Sequence, residues 1–430
     1  MGEMIAKPAS KVSGEYLPPG DKSISHRLVM LGSLAEGTSV FTHFLEADDC
    51  LRTIKAFEAM GVSFKKSEGK LFVNGIGVRK LNPPKSPLDL GNSGTTMRLL
   101  LGILAGQNFE VTLTGDASLT KRPMRRVTEP LRQMGAQITG TEDGNFAPLT
   151  IKGGKLTGIH WVNQIASAQV KSAILLAGLN ADGETSVEES IPSRDHTERL
   201  LTRFGVPVER HDRKITVRKA EALKPFQFQV PGDISSAAFF MVAAAITPGS
   251  DVVIKNVGLN PSRSGIIDIL KAMGADISVE MTQDRGEPMG DIHMRGLDKR
   301  LQAVIINKEW IPNLIDELPI LMIACALAEG RSVIRGAKEL RVKETDRINS
   351  MAQGLKAIGG KVQPTEDGCI INGVSRFQGG AISSFGDHRT AMSFAIAALQ
   401  SEKEILIQDT DCIMTSYPGF EADLAKLVKA

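Results

Sequence analysis

The sequence lacks the features that mark secreted, membrane-spanning and metal-binding proteins. Its 430 residues contain only four cysteines, with no Cys-x-x-Cys pair and no histidine at metal-ligand spacing. The start has no basic segment followed by an apolar core, as a secretory signal would. The longest apolar runs, 237–246 and 318–328, are well short of the roughly 18 residues that a membrane span requires. We therefore expect a protein of the reducing cytoplasm, without a metal and without a membrane association.

An excess of either charge is also missing. Lysine and arginine total 51 against 49 aspartates and glutamates, which leaves a net charge of +2 and no basic stripe or tail. Nucleic-acid binding is therefore not expected. The chain has no P-loop, no Gly-x-Gly-x-x-Gly after a first strand and no Gly-x-Ser-x-Gly, so neither ATP nor hydride chemistry is predicted. Apolar residues make up 42% of the chain, which is typical of a globular protein, and the length favours two domains.

One pattern recurs six times along the chain: a small polar segment opens an apolar helix, and a β-rich strand follows. The predicted helices are His26–Ala35, Thr95–Ala105, Ala168–Leu179, Ser236–Ile246, Glu317–Ala328 and Arg389–Leu399. The predicted strands are Thr38–Phe44, Phe109–Thr114, Thr185–Glu188, Asp251–Val257, Arg331–Ile334 and Glu404–Ile407. In five repeats a second helix ends on a glycine that supplies a left-handed C-cap, namely Gly61, Gly135, Gly205, Gly274 and Gly359.

These signals predict a β-α-β-α-β-β repeat of about 70 residues. Six copies give an α/β protein of two domains with three repeats each, and the break falls near Pro231-Gly232-Asp233. The alternative is an open α/β solenoid. It is disfavoured because solenoid repeats are usually shorter, at about 20–50 residues.

The starts of the six helices are the candidate ligand sites. A helix N-terminus carries unsatisfied N–H groups and a partial positive charge that attract phosphate or carboxylate. Ser, Asp, Asn and Gly at these positions are equally consistent with ordinary N-caps. Lys22 with Arg27, and His388 with Arg389, favour an anion instead, because a cap does not require cations one turn away.

Two charged segments and one carboxylate pair have two interpretations each. The segment 120–126 places four cations before a helix, where they oppose the helix dipole unless an anion binds; a solvated face is the alternative. The segment 341–347 alternates in sign and is equally consistent with a surface ladder of ion pairs. In Asp316-Glu317, one carboxylate is expected to cap the helix, which leaves the other as a candidate base.

Several long motifs resemble one enzyme family along essentially the whole chain. They are LDLGNSGTTMRLL (88–100), RPMRR (122–126), SAQVKSAILLAGL (167–179), SRDHTERLL (193–201), RVKETDR (341–347) and GDHRTAM (386–392). They resemble 3-phosphoshikimate 1-carboxyvinyltransferase, or EPSP synthase, in its class II subgroup. The resemblance implies the inverse α/β barrel of enolpyruvyl transferases, with a cleft that closes between domains 21–230 and 1–20 plus 231–430.

The resemblance also implies a reaction. The enolpyruvyl group of phosphoenolpyruvate would pass to the 5-hydroxyl of 3-phosphoshikimate by addition and elimination, on the shikimate route to chorismate and the aromatic amino acids. No metal or cofactor takes part, the partners are these small molecules, and a monomer is expected. By the resemblance, Asp316 takes the proton of the hydroxyl, Glu344 delivers one to the methylene carbon, and Lys22 assists the leaving phosphate.

The substrate contacts are carried over by position in the motifs. The residues expected to hold 3-phosphoshikimate are Lys22, Ser23, Arg27, Ser167, Ala168, Gln169, Arg194, Asp316 and Lys343. The residues expected to hold phosphoenolpyruvate are Lys22, Gly94, Arg122, Gln169, Arg347 and Arg389. One departure is Thr415, which aligns where many family members place a phosphoenolpyruvate-binding lysine.

Two other functions are weighed against this one. The UDP-N-acetylglucosamine enolpyruvyl transferases resemble the chain in architecture, but they carry a cysteine in the loop that here reads Gly115 to Lys121 without one. A non-catalytic anion-binding protein would need the cations but not Asp316 and Glu344. Sensitivity to the family's inhibitor glyphosate stays open, because Gly94 favours it and the class II motifs disfavour it.

Overall fold

The computed structural model describes residues 2–283 and 286–429. Their contacts divide the chain into two compact units. We call Gly20–Val230 the N-terminal unit, and Met1–Pro19 together with Pro231–Ala430 the C-terminal unit. Each unit has its own hydrophobic core.

The N-terminal unit contains three four-stranded sheets of one topology. In spatial order, the first consists of Gln227–Gln229, Glu36–Thr42, Lys70–Ile76 and Ser63–Ser67. The second consists of Leu88–Asp89, Glu110–Thr114, Phe146–Lys152 and Gln137–Gly140. The third consists of His160–Asn163, Glu184–Glu189, Lys214–Arg218 and Glu209–His211. In each sheet the first two strands are parallel and the others pair antiparallel. A further two-stranded sheet joins Leu156–Thr157 to Ala181–Asp182.

The C-terminal unit repeats this topology in its first two sheets, the first of which has an added edge strand, whereas its third sheet has three strands. Its five-stranded sheet consists of Asp276–Gln283, Met289–Arg295, Asp251–Gly258, Lys11–Tyr16 and Val428–Lys429. The second sheet consists of Ile305–Ile306, Arg331–Ile334, Cys369–Asn372 and Lys361–Pro364. The third consists of Glu3–Ala6, Ile405–Gln408 and Gly380–Ser383. Each sheet again contains one parallel pair of strands.

A parallel pair of strands needs a crossover connection. In the second and third sheets of each unit, one of the six predicted apolar helices lies between the two parallel strands, whereas the other two helices lead into the central strands of the first sheets, Glu36–Thr42 and Asp251–Gly258. The helices are Lys22–Leu34, Gly94–Ala105, Ala168–Gly178, Ile234–Ile246, Leu318–Leu327 and His388–Ala397. They are buried on nearly all faces, which explains why their sequences are apolar throughout and not along one stripe. All six predicted helices are thus confirmed. The first begins one turn earlier than predicted, because Asp21 caps it by accepting from the Ile24 N–H.

The second helices of the repeats are only partly buried. They are Asp48–Ala59, Arg125–Gln133, His196–Arg203, Gly265–Ala272, Arg347–Ala357 and Phe420–Leu427. The shorter α-helices are Thr141–Gly144 and Ile311–Leu314, and 3-10 turns lie at Leu119–Lys121, Lys338–Val342, Ala398–Gln400 and Thr410–Thr415. The five predicted C-cap glycines have φ between 83° and 113°, so their left-handed role is confirmed.

Close approach of two buried helices depends on a single glycine. A Cβ at Gly102 would lie 2.1 Å from the Ala173 carbonyl oxygen, so no larger residue fits where Gly94–Ala105 crosses Ala168–Gly178. This packing brings together the two helix starts that carry Gly94 and Gln169. Within the described residues, no helix is both long and apolar enough to cross a membrane.

Candidate active-site clusters

The six helix starts differ in how they are capped. Side chains cap four of them, with Asp21, Ser93, Asp233 and Asp387 accepting hydrogen bonds from backbone N–H groups of the first turn. Ser167 and Glu317 occupy the N-cap position of the other two without a capping side-chain hydrogen bond. The ordinary-cap interpretation therefore holds for four starts. Ser167 precedes Ala168 and Gln169, which begin their helix with N–H groups that no side chain caps.

Lys22 is the first residue of its helix and pairs with Asp49. The Lys22 Nζ lies 2.5 Å from Asp49 Oδ2, and the two side chains are 16% and 10% exposed. A cation in the first helical turn opposes the helix dipole, and the carboxylate offsets that cost. Asp49 was not predicted from the sequence, although the acidic pair Asp48-Asp49 at a helix start is the signal that marks it.

Hydroxyl groups connect the helices that carry these residues. Thr53 Oγ1 lies 2.7 Å from His26 Nδ1 and 2.7 Å from Thr96 Oγ1. Thr96 Oγ1 in turn lies 2.7 Å from the capping Ser93 Oγ. The chain of contacts fixes the helix that begins at Lys22 against the helix that begins at Gly94. Burial, together with the charges of Lys22 and Arg27, holds the pKa of His26 well below its usual value.

His26 should make stability depend on pH. In the unfolded chain His26 binds a proton near pH 6.5, whereas the folded chain resists it until a lower pH, so the unfolded state is favoured as pH falls below about 6.5. We expect His26→Asn to flatten the dependence of the unfolding free energy on pH between pH 7 and 5, by at most about 1.4 kcal/mol per pH unit. Urea unfolding across this range measures it, with the exposed His211→Gln as the control. An unchanged slope in His26→Asn would remove His26 from this role.

Gly94 lies beside two guanidinium groups. A Cβ at Gly94 would stand 2.8 Å from Arg98 Nη1 and 3.2 Å from Arg122 Nη1. Arg122 is held by Asn92, through Nη2 to Oδ1 at 2.6 Å and Nη1 to the carbonyl oxygen at 3.2 Å. Of the four predicted cations in 120–126, Arg122 is buried whereas Lys121 and Arg125 are exposed, so the solvated-face interpretation applies to those two.

Gln169 joins this group from the neighbouring helix. Its Oε1 accepts from Arg98 Nη1 at 2.8 Å, and its Nε2 donates to Thr95 Oγ1 at 2.9 Å. Two predicted residues, Gly94 and Gln169, therefore flank Arg98. Arg98 belongs to the motif 88–100, but the sequence predicts no role for it. An arginine in the first turns of an apolar helix was the available signal.

Arg27 belongs to the helix Lys22–Leu34 of the same unit. Its Nε donates to Thr197 Oγ1 at 2.6 Å, its Nη2 to Ser172 Oγ at 2.9 Å, and its Nη1 to the Ser23 carbonyl at 2.9 Å. These bonds orient a buried guanidinium. Arg194 is partly buried in the loop that precedes the helix His196–Arg203.

Arg347 is the centre of the cluster in the C-terminal unit. Its Nε lies 2.7 Å from Asp387 Oδ2 and its Nη2 lies 2.6 Å from Glu344 Oε2, with the arginine only 1% exposed. Burial alone would weaken this charge, but Asp387 and Glu344 outweigh it and raise the pKa of Arg347. Asp387 also caps the helix that carries Arg389, accepting from the Arg389 N–H at 2.8 Å.

Asp316 lies within 4.0 Å of three cations. Its oxygens are 3.6 Å from Arg347 Nη1, 3.8 Å from Lys343 Nζ and 3.9 Å from Arg263 Nη1. Burial lowers the pKa of Lys343, and Asp316 offsets this only in part. Arg263 is itself fixed by Asp233, at 2.7 Å. The candidate base therefore lies among three cationic side chains.

The expected cap in Asp316-Glu317 is not formed by Glu317. Its carboxylate accepts from the Ser235 hydroxyl instead, and Glu317 is fully buried. The reason is that Arg263 holds Ser235 at 2.9 Å and presents its hydroxyl to Glu317.

In segment 341–347 both interpretations apply in part, because Arg341 pairs with Asp346 at 2.6 Å whereas Arg347 turns inward.

Thr415 lies close to the start of the helix His388–Ala397. Its Oγ1 donates to the Cys412 carbonyl at 2.7 Å and stands 3.4 Å from His388 Nδ1. Arg389, the second residue of that helix, is 8% exposed.

Within residues 2–283 and 286–429, no three His, Cys, Asp or Glu side chains are grouped so as to hold a metal ion.

Comparison with known proteins gives a consistent result. The model of the EPSP synthase (3-phosphoshikimate 1-carboxyvinyltransferase) family matches residues 6–424. A 3-phosphoshikimate 1-carboxyvinyltransferase of Methylococcus capsulatus is 54% identical over 418 residues, covering 96% of this chain and 95% of the relative. That of Bacillus cytotoxicus is 50% identical over 417 residues, covering 97% and 98%. A solved EPSP synthase from Acinetobacter baumannii superposes with a TM-score of 0.87 at 49% identity, covering 100% of this chain and 98% of that one.

These findings confirm the α/β fold class and the family predicted from the motifs. They also exclude the solenoid, since the solved structure matches this chain from end to end. The charge clusters described above lie on segments inside the matched range. The chain belongs to the EPSP synthase (3-phosphoshikimate 1-carboxyvinyltransferase) family.

Proposed function

We propose that the chain transfers the enolpyruvyl group of phosphoenolpyruvate to the 5-hydroxyl of 3-phosphoshikimate and releases phosphate. The observation that carries the proposal is Asp316, a partly exposed carboxylate that lies within 4.0 Å of Arg263, Lys343 and Arg347. The three cations attract anionic substrates to this carboxylate. Family membership gives the identity of those substrates.

The phosphorylated acceptor, 3-phosphoshikimate, is proposed to contact both helix starts and charged side chains. In the N-terminal unit these are the helix starts, Arg194, and Arg27, which neutral hydroxyl groups orient. The proposed contacts are Lys22, Ser23, Arg27, Ser167, Ala168, Gln169 and Arg194. In the C-terminal unit they are Asp316 and Lys343. Backbone N–H groups at a helix start and a nearby guanidinium together match a phosphate.

Phosphoenolpyruvate carries a phosphate and a carboxylate, and arginine forks match both. The proposed contacts are Lys22, Gly94, Arg122, Gln169, Arg347 and Arg389. Gly94 is compatible with this because the space beside it is bordered by the Arg98 and Arg122 guanidinium groups. Thr415 stands near His388 at the start of the helix that carries Arg389, and it offers a neutral hydroxyl where a lysine would offer a charge.

In the proposed reaction, Asp316 takes the proton of the 5-hydroxyl as its oxygen bonds to C2 of phosphoenolpyruvate, and Glu344 protonates C3. The tetrahedral adduct then loses a proton from C3 and its C2–O bond to phosphate, which restores the double bond, with Lys22 neutralising the leaving phosphate. Arg347 pairs with Glu344 in the ligand-free chain. An anion that binds Arg347 would compete with Glu344 for the same guanidinium.

The remaining proposals concern organisation. We propose that the two units are the family's two domains, with boundaries at 21–230 and at 1–20 plus 231–430. We further propose a monomeric cytoplasmic enzyme that acts on small molecules without a cofactor.

A phosphate-release assay tests the function. We expect phosphate from phosphoenolpyruvate only when 3-phosphoshikimate is supplied. Two parallel reactions, one without acceptor and one with UDP-N-acetylglucosamine, serve as controls. Release in the UDP-sugar reaction, or none with 3-phosphoshikimate, would refute the proposal.

Gly94→Ala should weaken phosphoenolpyruvate binding selectively. The added Cβ displaces the end of Arg98 or Arg122, and a lost charge-assisted contact corresponds to a KM for phosphoenolpyruvate about tenfold higher or more. The KM for 3-phosphoshikimate should change less than about twofold, because the hydrogen bonds that orient Arg27 run to Ser23, Ser172 and Thr197 and not to Arg98 or Arg122. Gly154→Ala is the matched control, since its Cβ would meet no atom within 4 Å. An unchanged KM for phosphoenolpyruvate in Gly94→Ala would contradict this placement.

A further inference from the structure

A buried lysine lies in the helix Ala168–Gly178, one turn after the proposed ligand contacts at its start. Lys171 Nζ stands 2.8 Å from Glu189 and 2.8 Å from Glu198, and the three side chains are 0%, 1% and 8% exposed. Burial opposes the lysine charge, but Glu198 and Glu189 outweigh it and raise the pKa of Lys171. The cluster is therefore a charged lysine enclosed by two carboxylates, and the proposed reaction does not use any of the three.

Glu189 and Lys171 also fix a loop by its backbone. Glu189 accepts from the Ser193 N–H at 3.1 Å and from the Ser193 hydroxyl at 2.5 Å. Lys171 donates to the Ser193 carbonyl at 3.2 Å. Ser193 is thereby held through its amide, its carbonyl and its side chain. The next residue is Arg194, so its position depends directly on this anchor.

Two hydroxyl groups lie on the residues next to the cluster. Ser172 follows Lys171 and Thr197 precedes Glu198, and their hydroxyl oxygens lie 2.6 Å apart. Both hydroxyls accept from the Arg27 guanidinium. The same two helices therefore carry the buried ion cluster and the neutral contacts that orient Arg27.

The groups tied to the cluster have 3-phosphoshikimate as their common proposed ligand, and among them only Gln169 is also a proposed contact of phosphoenolpyruvate. Arg27, Arg194 and the helix start 167–169 are proposed contacts of 3-phosphoshikimate. The arginine beside Gly94 that is proposed for phosphoenolpyruvate, Arg122, is instead held by Asn92 and Ser118. Burying three charges is a weak source of stability, because desolvation cancels much of the attraction. A positioning role explains why Lys171 and Glu189 both form hydrogen bonds with Ser193.

We propose that the buried Lys171–Glu189–Glu198 cluster positions the loop and helix start that bind the phosphorylated acceptor, with Glu189 as the residue that fixes Arg194. The inference rests on the proposed function for the identity of that acceptor. Glu189 does not touch substrate; it acts through Ser193 and Arg194.

Two isosteric substitutions separate positioning from stability. Glu189→Gln and Glu198→Gln each leave Lys171 with one carboxylate, but only Glu189 contacts Ser193. We expect Glu189→Gln to raise the KM for 3-phosphoshikimate about tenfold, with kcat and the KM for phosphoenolpyruvate within about twofold of wild type. Glu198→Gln should leave all three constants within about twofold. Equal increases for both substrates, or the same increase in Glu198→Gln, would overturn the proposal.

The Arg194→Met variant tests whether Glu189 acts through Arg194. If Glu189 acts through Arg194, Glu189→Gln should add little to Arg194→Met, whereas additive effects of the two changes would reject this route. Ser193→Ala, which removes one donor to Glu189, repeats the test if Glu189→Gln does not fold; no change in the KM for 3-phosphoshikimate would count against the proposal.

Hydrogen exchange separates failure of this inference from failure of the proposed function. Without any ligand, the Ser193 amide should exchange faster in Glu189→Gln than in Glu198→Gln. Equal exchange refutes the anchoring itself. Wild-type protein that does not turn over 3-phosphoshikimate refutes the proposed function and with it the identity of the acceptor, while the exchange result still decides whether Glu189 anchors the loop.

Discussion

Asp316→Asn should lower kcat roughly 10²–10⁴-fold without raising either KM, which is the range expected for loss of a general base. The amide keeps the shape of the carboxylate but cannot take the proton of the acceptor hydroxyl. Removing the negative charge also leaves Arg347, Lys343 and Arg263 more positive, so binding of anionic substrates should not weaken. Steady-state kinetics with both substrates varied measures the three constants.

The neighbouring carboxylate is the matched control for this change. Glu317→Gln alters a buried residue that bonds to Ser235 and has no proposed role in proton transfer. It should keep kcat within a few-fold of wild type, whereas Asp316→Asn should not. Normal turnover in Asp316→Asn would exclude Asp316 as the base. A large loss of turnover in Glu317→Gln alone would transfer the role to Glu317.

Arg347→Met should lower the unfolding free energy by about 3–5 kcal/mol, since breaking a buried ion pair leaves an uncompensated charge. Asp387 is fully buried and would lose its charged partner. Glu344 would lose the same guanidinium. Urea unfolding measures this effect without reference to activity, in which Arg347 has a separate proposed role.

A second substitution identifies the cause of that loss. Arg347→Met combined with Asp387→Asn should recover part of the stability, because asparagine removes the buried charge and can still accept from the Arg389 N–H as a cap. Arg347→Lys is a poor control, since a lysine cannot reproduce the fork that bonds to Asp387 and Glu344 together. A loss below about 1 kcal/mol in Arg347→Met, or no recovery in the double variant, would contradict this explanation.

The architecture was predictable because it depends on local signals. Apolar runs of helix length, a strand after each run and glycines with left-handed φ, such as Gly61 and Gly135, are properties of short segments. Their spacing gave the six repeats. The start of the first helix was misplaced by one turn because the capping signal, Asp21, was read as part of a polar segment.

The partners of the charged residues were not predictable in the same way. Asp49 lies 27 positions from Lys22, and Asp387 lies 40 positions from Arg347, so only the fold brings each pair together. A sequence shows that a cation is present, but not which carboxylate neutralises it. Arg263 illustrates the limit, since it reaches Asp316 from a loop in another repeat.

The repeat therefore accounts for the six helix starts, and the differences between repeats account for the charged side chains that we propose to carry the chemistry. The helix starts in the N-terminal unit have Lys22, Arg27 and Arg98 near them, and the start at Ser167 has no side-chain cap, which suits anion binding. The C-terminal unit adds the carboxylates Asp316 and Glu344 among cations. A reaction without a metal or cofactor requires both kinds of group, because binding and proton transfer must then come from side chains.

The most direct test of the account uses phosphoenolpyruvate labelled with ¹⁸O in the oxygen that bridges carbon and phosphorus. Addition and elimination break the C2–O bond, so the account predicts that the label appears in the released phosphate, only in the presence of 3-phosphoshikimate, and in equal amount to the enolpyruvyl product. Label retained in the organic product would show cleavage of the P–O bond. That result would contradict enolpyruvyl transfer by this chain.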